Sequence, residues 1–172
     1  MVLSVKAAAN AGYYFQANGL EARPDLAGGK WIGSIKRFGV VEGSAVQPET
    51  FQHLLMRRTP KGEAPTFDPA TRSTGRDFVF SAPKSVSIVW AFAGADVRRK
   101  IEDAQFAAVT AAVNTLLKEA CRERCGKGGA ILRPAKGVAA TFMHVATRRA
   151  SHAGPDEKAT TELIFPDPNL HT

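Results

Sequence analysis

Hydrophobic and polar positions change period several times along the chain, and each change predicts an element. Val2, Leu3 and Val5 against Ser4 and Lys6 predict a short strand over Met1 to Lys6. Ala7 to Ala17 is alanine-rich and predicts a helix, whereas Asn18 to Lys30, with Gly19, Pro24, Gly28 and Gly29, predicts a loop. A second helix is predicted from Pro48, a residue suited to a first helical position, with Phe51, Leu54 and Leu55 as its apolar stripe. Arg57 and Arg58 suit its C-terminal dipole, and Thr59-Pro60 ends it. Lys61 to Thr74 predicts another loop.

Arg76 to Phe80 predicts a strand, with Phe78 and Phe80 on one face and Asp77 and Val79 on the other. Ser81 is the expected N-cap of a helix reaching about Phe92, with Pro83 in its first turn. A long helix is predicted from Val97 to Cys125, because Val97, Ile101, Ala104, Ala108, Ala112, Leu116 and Ala120 recur in steps of three and four. Ala130 to Leu132 and Val138 to Thr147 predict two strands, and Arg133 to Gly137 has the composition of a hairpin between them. Ala150 to Pro168 predicts a loop, and a last strand begins at Leu170. Strands and helices in this order predict an α+β fold, a two-layer sandwich with an antiparallel sheet covered by helices.

Length and charge narrow the function. A chain of 172 residues is expected to form a single domain with a real core. No apolar run reaches transmembrane length, and the N-terminus has no basic region ahead of its apolar start, so a cytoplasmic protein is expected. Lys and Arg total 23 against 16 acidic residues, a net charge of +7. That surplus suits a polyanion such as nucleic acid, although a solvated basic surface reads the same way. Cys121 and Cys125 lack the spacing of a zinc or redox pair and are expected to be thiols.

Three segments carry chemistry. Tyr13 and Tyr14 are adjacent near the N-terminus, Phe80-Ser81-Ala82-Pro83-Lys84-Ser85-Val86-Ser87 follows an acidic strand, and the last residues are Asn169-Leu170-His171-Thr172. In this order they resemble the TrwC-type (MobF) conjugative relaxases of the HUH endonuclease superfamily. The central phrase is the most specific of the three. The resemblance runs from Tyr13 to Thr172 and places Thr172 inside the family's histidine motif. The domain is therefore expected to be incomplete at the C-terminus, one residue short of a third histidine.

The resemblance implies a site. Tyr13 matches the nucleophile that attacks a DNA phosphate, with Tyr14 as its neighbour. Phenolic oxygen can hold phosphate as an ester, but its ordinary pKa of about 10 demands a base or a cation nearby. Asp77 matches the acidic residue beside the nucleophile; it could accept a hydrogen bond from the tyrosine or orient a metal-bound histidine. His144 and His171 match two of three imidazoles holding a divalent ion (magnesium, manganese, nickel or zinc), weakly with two ligands only. Lys84 and Ser85 begin a helix whose N–H groups could bind phosphate, and Arg148 and Arg149 are further DNA-binding candidates. Without the resemblance, the tyrosines read as packing residues, His144 as a satisfied core histidine, Asp77 as a salt-bridged strand residue and Lys84 as solvated. His53 reads as structural, and His152 falls in a loop.

The implied function is nicking and strand transfer on single-stranded DNA, as in plasmid mobilisation, with single-stranded DNA and other conjugation proteins as partners. The alternative is a catalytically inactive relaxase remnant that binds single-stranded DNA or does nothing. Whether this chain is an enzyme stays open between the two.

Overall fold

The alternation at the N-terminus folds as a strand, β1 (Val2–Ala7). A computed structural model describes residues 2–7, 11–15, 28–63, 75–146 and 168–172. After β1 come α1 (Ala11–Tyr14), β2 (Lys30–Ile32), α2 (Pro48–Leu55), β3 (Arg76–Ser81), α3 (Lys84–Phe92) and α4 (Ala95–Glu119). They are followed by β4 (Arg122–Cys125), β5 (Ile131–Pro134), β6 (Ala139–Thr141), β7 (His144–Ala146) and β8 (Pro168–His171). Four strands form an antiparallel sheet in the order β1-β3-β8-β7, while β2 pairs with β6 and β4 with β5. The fold is α+β, with antiparallel strands covered by helices, as the pattern predicts.

Alternation along the strands decides which face is covered. Phe78 and Phe80 of β3 pack against Val109, Val113 and Leu116 of α4. Leu170 of β8 joins Ala82, Trp90, Met143 and Val145 in a second cluster against α3. A corner between the two helices is fixed by polar groups. Trp90 Nε1 donates to Glu102 Oε1 at 2.8 Å, and Arg98 donates to the carbonyls of Trp90 and Ala91 at the end of α3. A third cluster, Trp31, Val40, Val46, Phe51 and Phe142, lies under α1 and α2. Trp31 and Ile32 are adjacent and enter different clusters, so β2 is covered on both faces.

Several expectations are corrected. Helix α3 has Pro83, not Ser81, at its N-cap, because Ser81 still pairs with His171 and the Ala82 N–H still donates to the Leu170 carbonyl. Sheet bonding thus holds the chain extended for two more residues. Helix α4 stops at Glu119, and Arg122 to Cys125 is a strand that pairs with Ile131 to Pro134. Its covered face is Glu102, Gln105, Val109 and Val113, with Ala104 and Ala108 exposed. The alanine steps marked a helix but not its core side: valine buries more apolar area than alanine, and Gln105 Nε2 is drawn in by the Phe80 carbonyl at 2.9 Å.

The expected hairpin between Ala130 and Thr147 does not form. β5 turns back on β4, and β6 pairs with β2, Trp31 opposite Ala140. The expected strand Val138 to Thr147 is broken at Phe142 and Met143, which are buried in different clusters. The predicted loop ending at Lys30 gives way to β2 at that residue. Gly29 makes this possible: at φ +73° a Cβ there would lie 2.7 Å from the Phe142 ring and 2.8 Å from the Thr141 carbonyl. Of the predicted helix Ala7 to Ala17, Ala7 instead ends β1, Ala11–Tyr14 forms α1 and Phe15 is a turn, and α2 ends at Leu55, just before Arg57 at φ 54°. The segment Ala150 to Pro168, with His152, lies outside the described residues apart from Pro168.

Candidate functional site

Register brings the two candidate ligands together. His171 of β8 lies directly opposite His144 of β7 and, on its other side, opposite Ser81 of β3. Residues directly opposite share a face, so the histidines sit on the side away from Leu170 and Val145. Their rings stack at 5.3 Å between centroids and 23° between planes. Burial pushes the His144 imidazole down from 6.5 to about 4, and the neighbouring His171 adds to the effect. His144 is therefore neutral at pH 7, the form that ligates a metal.

Two neighbouring imidazoles, one of them held neutral, have the donor chemistry that would hold a divalent ion. Among the described residues no third His, Cys, Asp or Glu completes a group with them. A magnesium, manganese, nickel or zinc ion would thus find two protein ligands here.

Asp77 shares the histidine face, since it lies four residues from Ser81 along β3. That separation is about 13 Å of strand, which leaves Asp77 outside the histidine row. Asp77 nevertheless lines the same cavity as His144, His171 and Tyr14. Asp77 is half-buried and pairs in register with Lys6 of β1.

Tyr14 is built into the third cluster. Its ring stacks on Phe142 at 5.5 Å and meets the edge of Phe51 at 5.4 Å. The packing anchors α1, the helix that also carries Tyr13. A cavity of about 550 Å³ opens between β3 and β6 and is lined by Tyr14, Asp77, His144, His171 and Thr172 among others. Sequence-separated candidates therefore share one cleft, with apolar residues such as Trp31, Val109 and Val113 in its walls.

The other candidates are placed apart. Lys84 and Ser85 are exposed in the first turn of α3, and Arg148 and Arg149 lie outside the described residues. A basic feature missed in the sequence is the β4–β5 ribbon. Arg122 to Lys136 holds five basic residues and one acidic residue, Glu123. Every β5 residue is exposed, as are Arg122, Glu123 and Arg124. The signal lies in the Arg122, Arg124 and Lys127 cluster, and the helical period expected through Cys125 hides the strand that displays it.

An antiparallel sheet with helices on one face and a histidine pair on the other defines a class of α+β proteins with a candidate cation site. The family model for the TrwC relaxase matches residues 3–172, and the chain belongs to that family. A structure of TrwC complexed with a 27-mer DNA comprising the recognition hairpin and the cleavage site is similar at TM-score 0.66 and 22% identity, covering 99% of this chain and 53% of that one. A metal-bound structure of the conjugative relaxase TrwC in complex with oriT DNA gives 0.68 and 23%, covering 99% and 54%. A metal-free counterpart gives 0.65 and 23%, with the same coverage. The chain thus spans about half the length of these structures, and at such identities they establish the fold. A comparison with curated proteins gives no match. No helix among the described residues is long and apolar enough to cross a membrane.

Proposed function

We propose that residues 1–172 act as one relaxase domain that nicks single-stranded DNA and holds the cut end on a tyrosine. The stacked His144–His171 pair beside the Tyr14-lined cleft is the observation that carries this reading. The Tyr13 phenolic oxygen forms a bond to phosphorus as the bond to the DNA 3′ oxygen breaks. The phenol gives up its proton, the 3′ oxygen takes one up, and one phosphate ester replaces another. Asp77 is the acceptor on the cleft wall for the phenolic proton. A divalent cation bound at the histidines would polarise a non-bridging phosphate oxygen. The exposed basic ribbon supplies phosphate contacts that position the nucleic acid, in the bacterial cytoplasm where plasmid DNA and the other conjugation proteins are met.

A second reading keeps the binding and drops the chemistry. It is favoured by the donor set, which brings together two imidazoles among the described residues. One experiment separates the two: labelled single-stranded oligonucleotide is incubated with the protein and manganese, then run on a denaturing gel. A covalent adduct that disappears in Tyr13→Phe and only weakens in Tyr14→Phe supports nicking. Binding without any adduct supports the second reading, and a full-strength adduct from Tyr13→Phe rejects Tyr13 as the nucleophile.

A further inference from the structure

The central Ser-Ala-Pro-Lys-Ser-Val-Ser phrase has a task that capping and phosphate binding do not explain. β3 leaves the sheet at Ala82-Pro83 to enter α3. The Ala82 N–H donates to the Leu170 carbonyl at 2.9 Å. In a continuing antiparallel pair the Leu170 N–H would return a bond to the carbonyl of the residue opposite. Here it donates instead to Ser87 Oγ at 3.1 Å, one turn into α3. Ser87 is buried, at 1% exposure, and Leu170 is fully buried. A serine hydroxyl thus takes the place of the strand carbonyl where the strand has turned away.

The consequence falls on the next residue. A slip of one position in β8 would exchange its two faces. Leu170 would turn outward, and His171 would turn into the apolar cluster of Ala82, Trp90 and Val145. Two bonds to the Leu170 backbone and the burial of its side chain oppose that slip. We propose that Ser87 is a positioning residue that fixes the register of β8, so that His171 faces His144 across the sheet. The claim about a cation at that pair rests on the function proposed above; the claim about register does not.

Nuclear magnetic resonance on the intact chain tests both parts. Amide exchange is followed at Leu170, and Ni²⁺ is titrated while the ring protons of His144 and His171 are watched for paramagnetic broadening. Ser87→Ala is compared with Val40→Ala, which removes core volume from the cluster of Trp31, Val46 and Phe51 and lies outside the lining of the histidine cleft. Ser87→Ala should speed exchange at Leu170 more than Val40→Ala does, and it should weaken Ni²⁺ binding about tenfold, the usual cost of losing a support for a ligand. Ser87→Thr, which keeps a hydroxyl, should restore both; it also serves if Ser87→Ala does not fold. Unchanged exchange at Leu170 in Ser87→Ala overturns the proposal. So does faster exchange with Ni²⁺ broadening at both rings left intact. If His171→Ala leaves Ni²⁺ binding unaltered, the cation reading fails, and the positioning role is judged on Leu170 exchange and the His144–His171 ring contact alone.

Discussion

Leu170 and Leu132 are both leucines on four-residue strands, and the fold treats them in opposite ways. Leu170 on β8 is 0% exposed, clamped through its backbone and packed among Ala82, Trp90, Met143 and Val145. Leu132 on β5 is 59% exposed, on a ribbon whose strands, among the described residues, pair only with each other. The histidine strand is held by β3 on one side, β7 on the other and Ser87 of α3 above, so the place of each of its side chains is fixed. The ribbon is held at its base, where Ala135 N–H donates to the Cys121 carbonyl and Arg122 donates to the same group. One region trades freedom for geometry, and the other presents charge.

The largest effect expected from this contrast is on stability. Leu170→Ala empties a fully buried site and should cost about 2–5 kcal/mol. Leu132→Ala should change stability by less than about 0.5 kcal/mol, the usual range for an exposed position. Urea unfolding of the two variants at constant m-value measures this directly. Equal losses would mean that the ribbon is part of the cooperative core, and the contrast would be lost.

The same contrast explains what could be read in advance. β1, α2 and β3 were legible because each has a local period and local stop signals. The pairing of β6 with β2 was not, since Lys30 and Thr141 are 111 residues apart and nothing near Trp31 names its partner. The covered face of α4 was misread by one position because Glu102 and Gln105 look like surface residues until their partners, Trp90 and the Phe80 carbonyl, are known. The candidate site was legible through its motifs, and the structure adds their meeting. His144 and His171 come together, and Tyr14 turns out to be a packing residue of the same cleft. Ser87 carried a signal that went unused. It shares a helix face with Trp90, three positions on, and a hydroxyl on a buried face demands a partner.

A second effect, intermediate in size, tests the packed region through acid. His144 holds its proton less tightly when folded, at about 4, than at the ordinary 6.5. Between these values the unfolded chain binds more protons, so stability rises with pH across this window. Acidification from pH 6.5 towards 4 should therefore erode stability, most of it before the carboxylates begin to titrate. The His144→Gln variant should lose that part of the slope while keeping the rest. Parallel slopes for the two proteins would show that the His144 ring is as well solvated as a free imidazole, and the strand around it looser than described.

The smallest effect on stability, and the one specific to the exposed region, concerns the charges of the ribbon. Arg124, Lys127 and Arg133 are exposed, so their replacement by glutamine should leave the unfolding midpoint nearly unchanged. Binding should change in a way that stability does not. Each phosphate contact to a single strand contributes about 0.7 to the slope of log affinity against log salt, so losing three contacts should flatten it by about 2. Fluorescence anisotropy with a labelled oligonucleotide over a salt series reads the slope. Glutamine at Arg99 and Lys100, exposed on the first turns of α4, is the matched control, with equal formal charge removed per residue but from a different face. If the control flattens the slope as much per charge, binding follows net charge and the ribbon is not the contact surface. If only the ribbon variant flattens it, the region that packs least binds most, whichever of the two proposed readings holds.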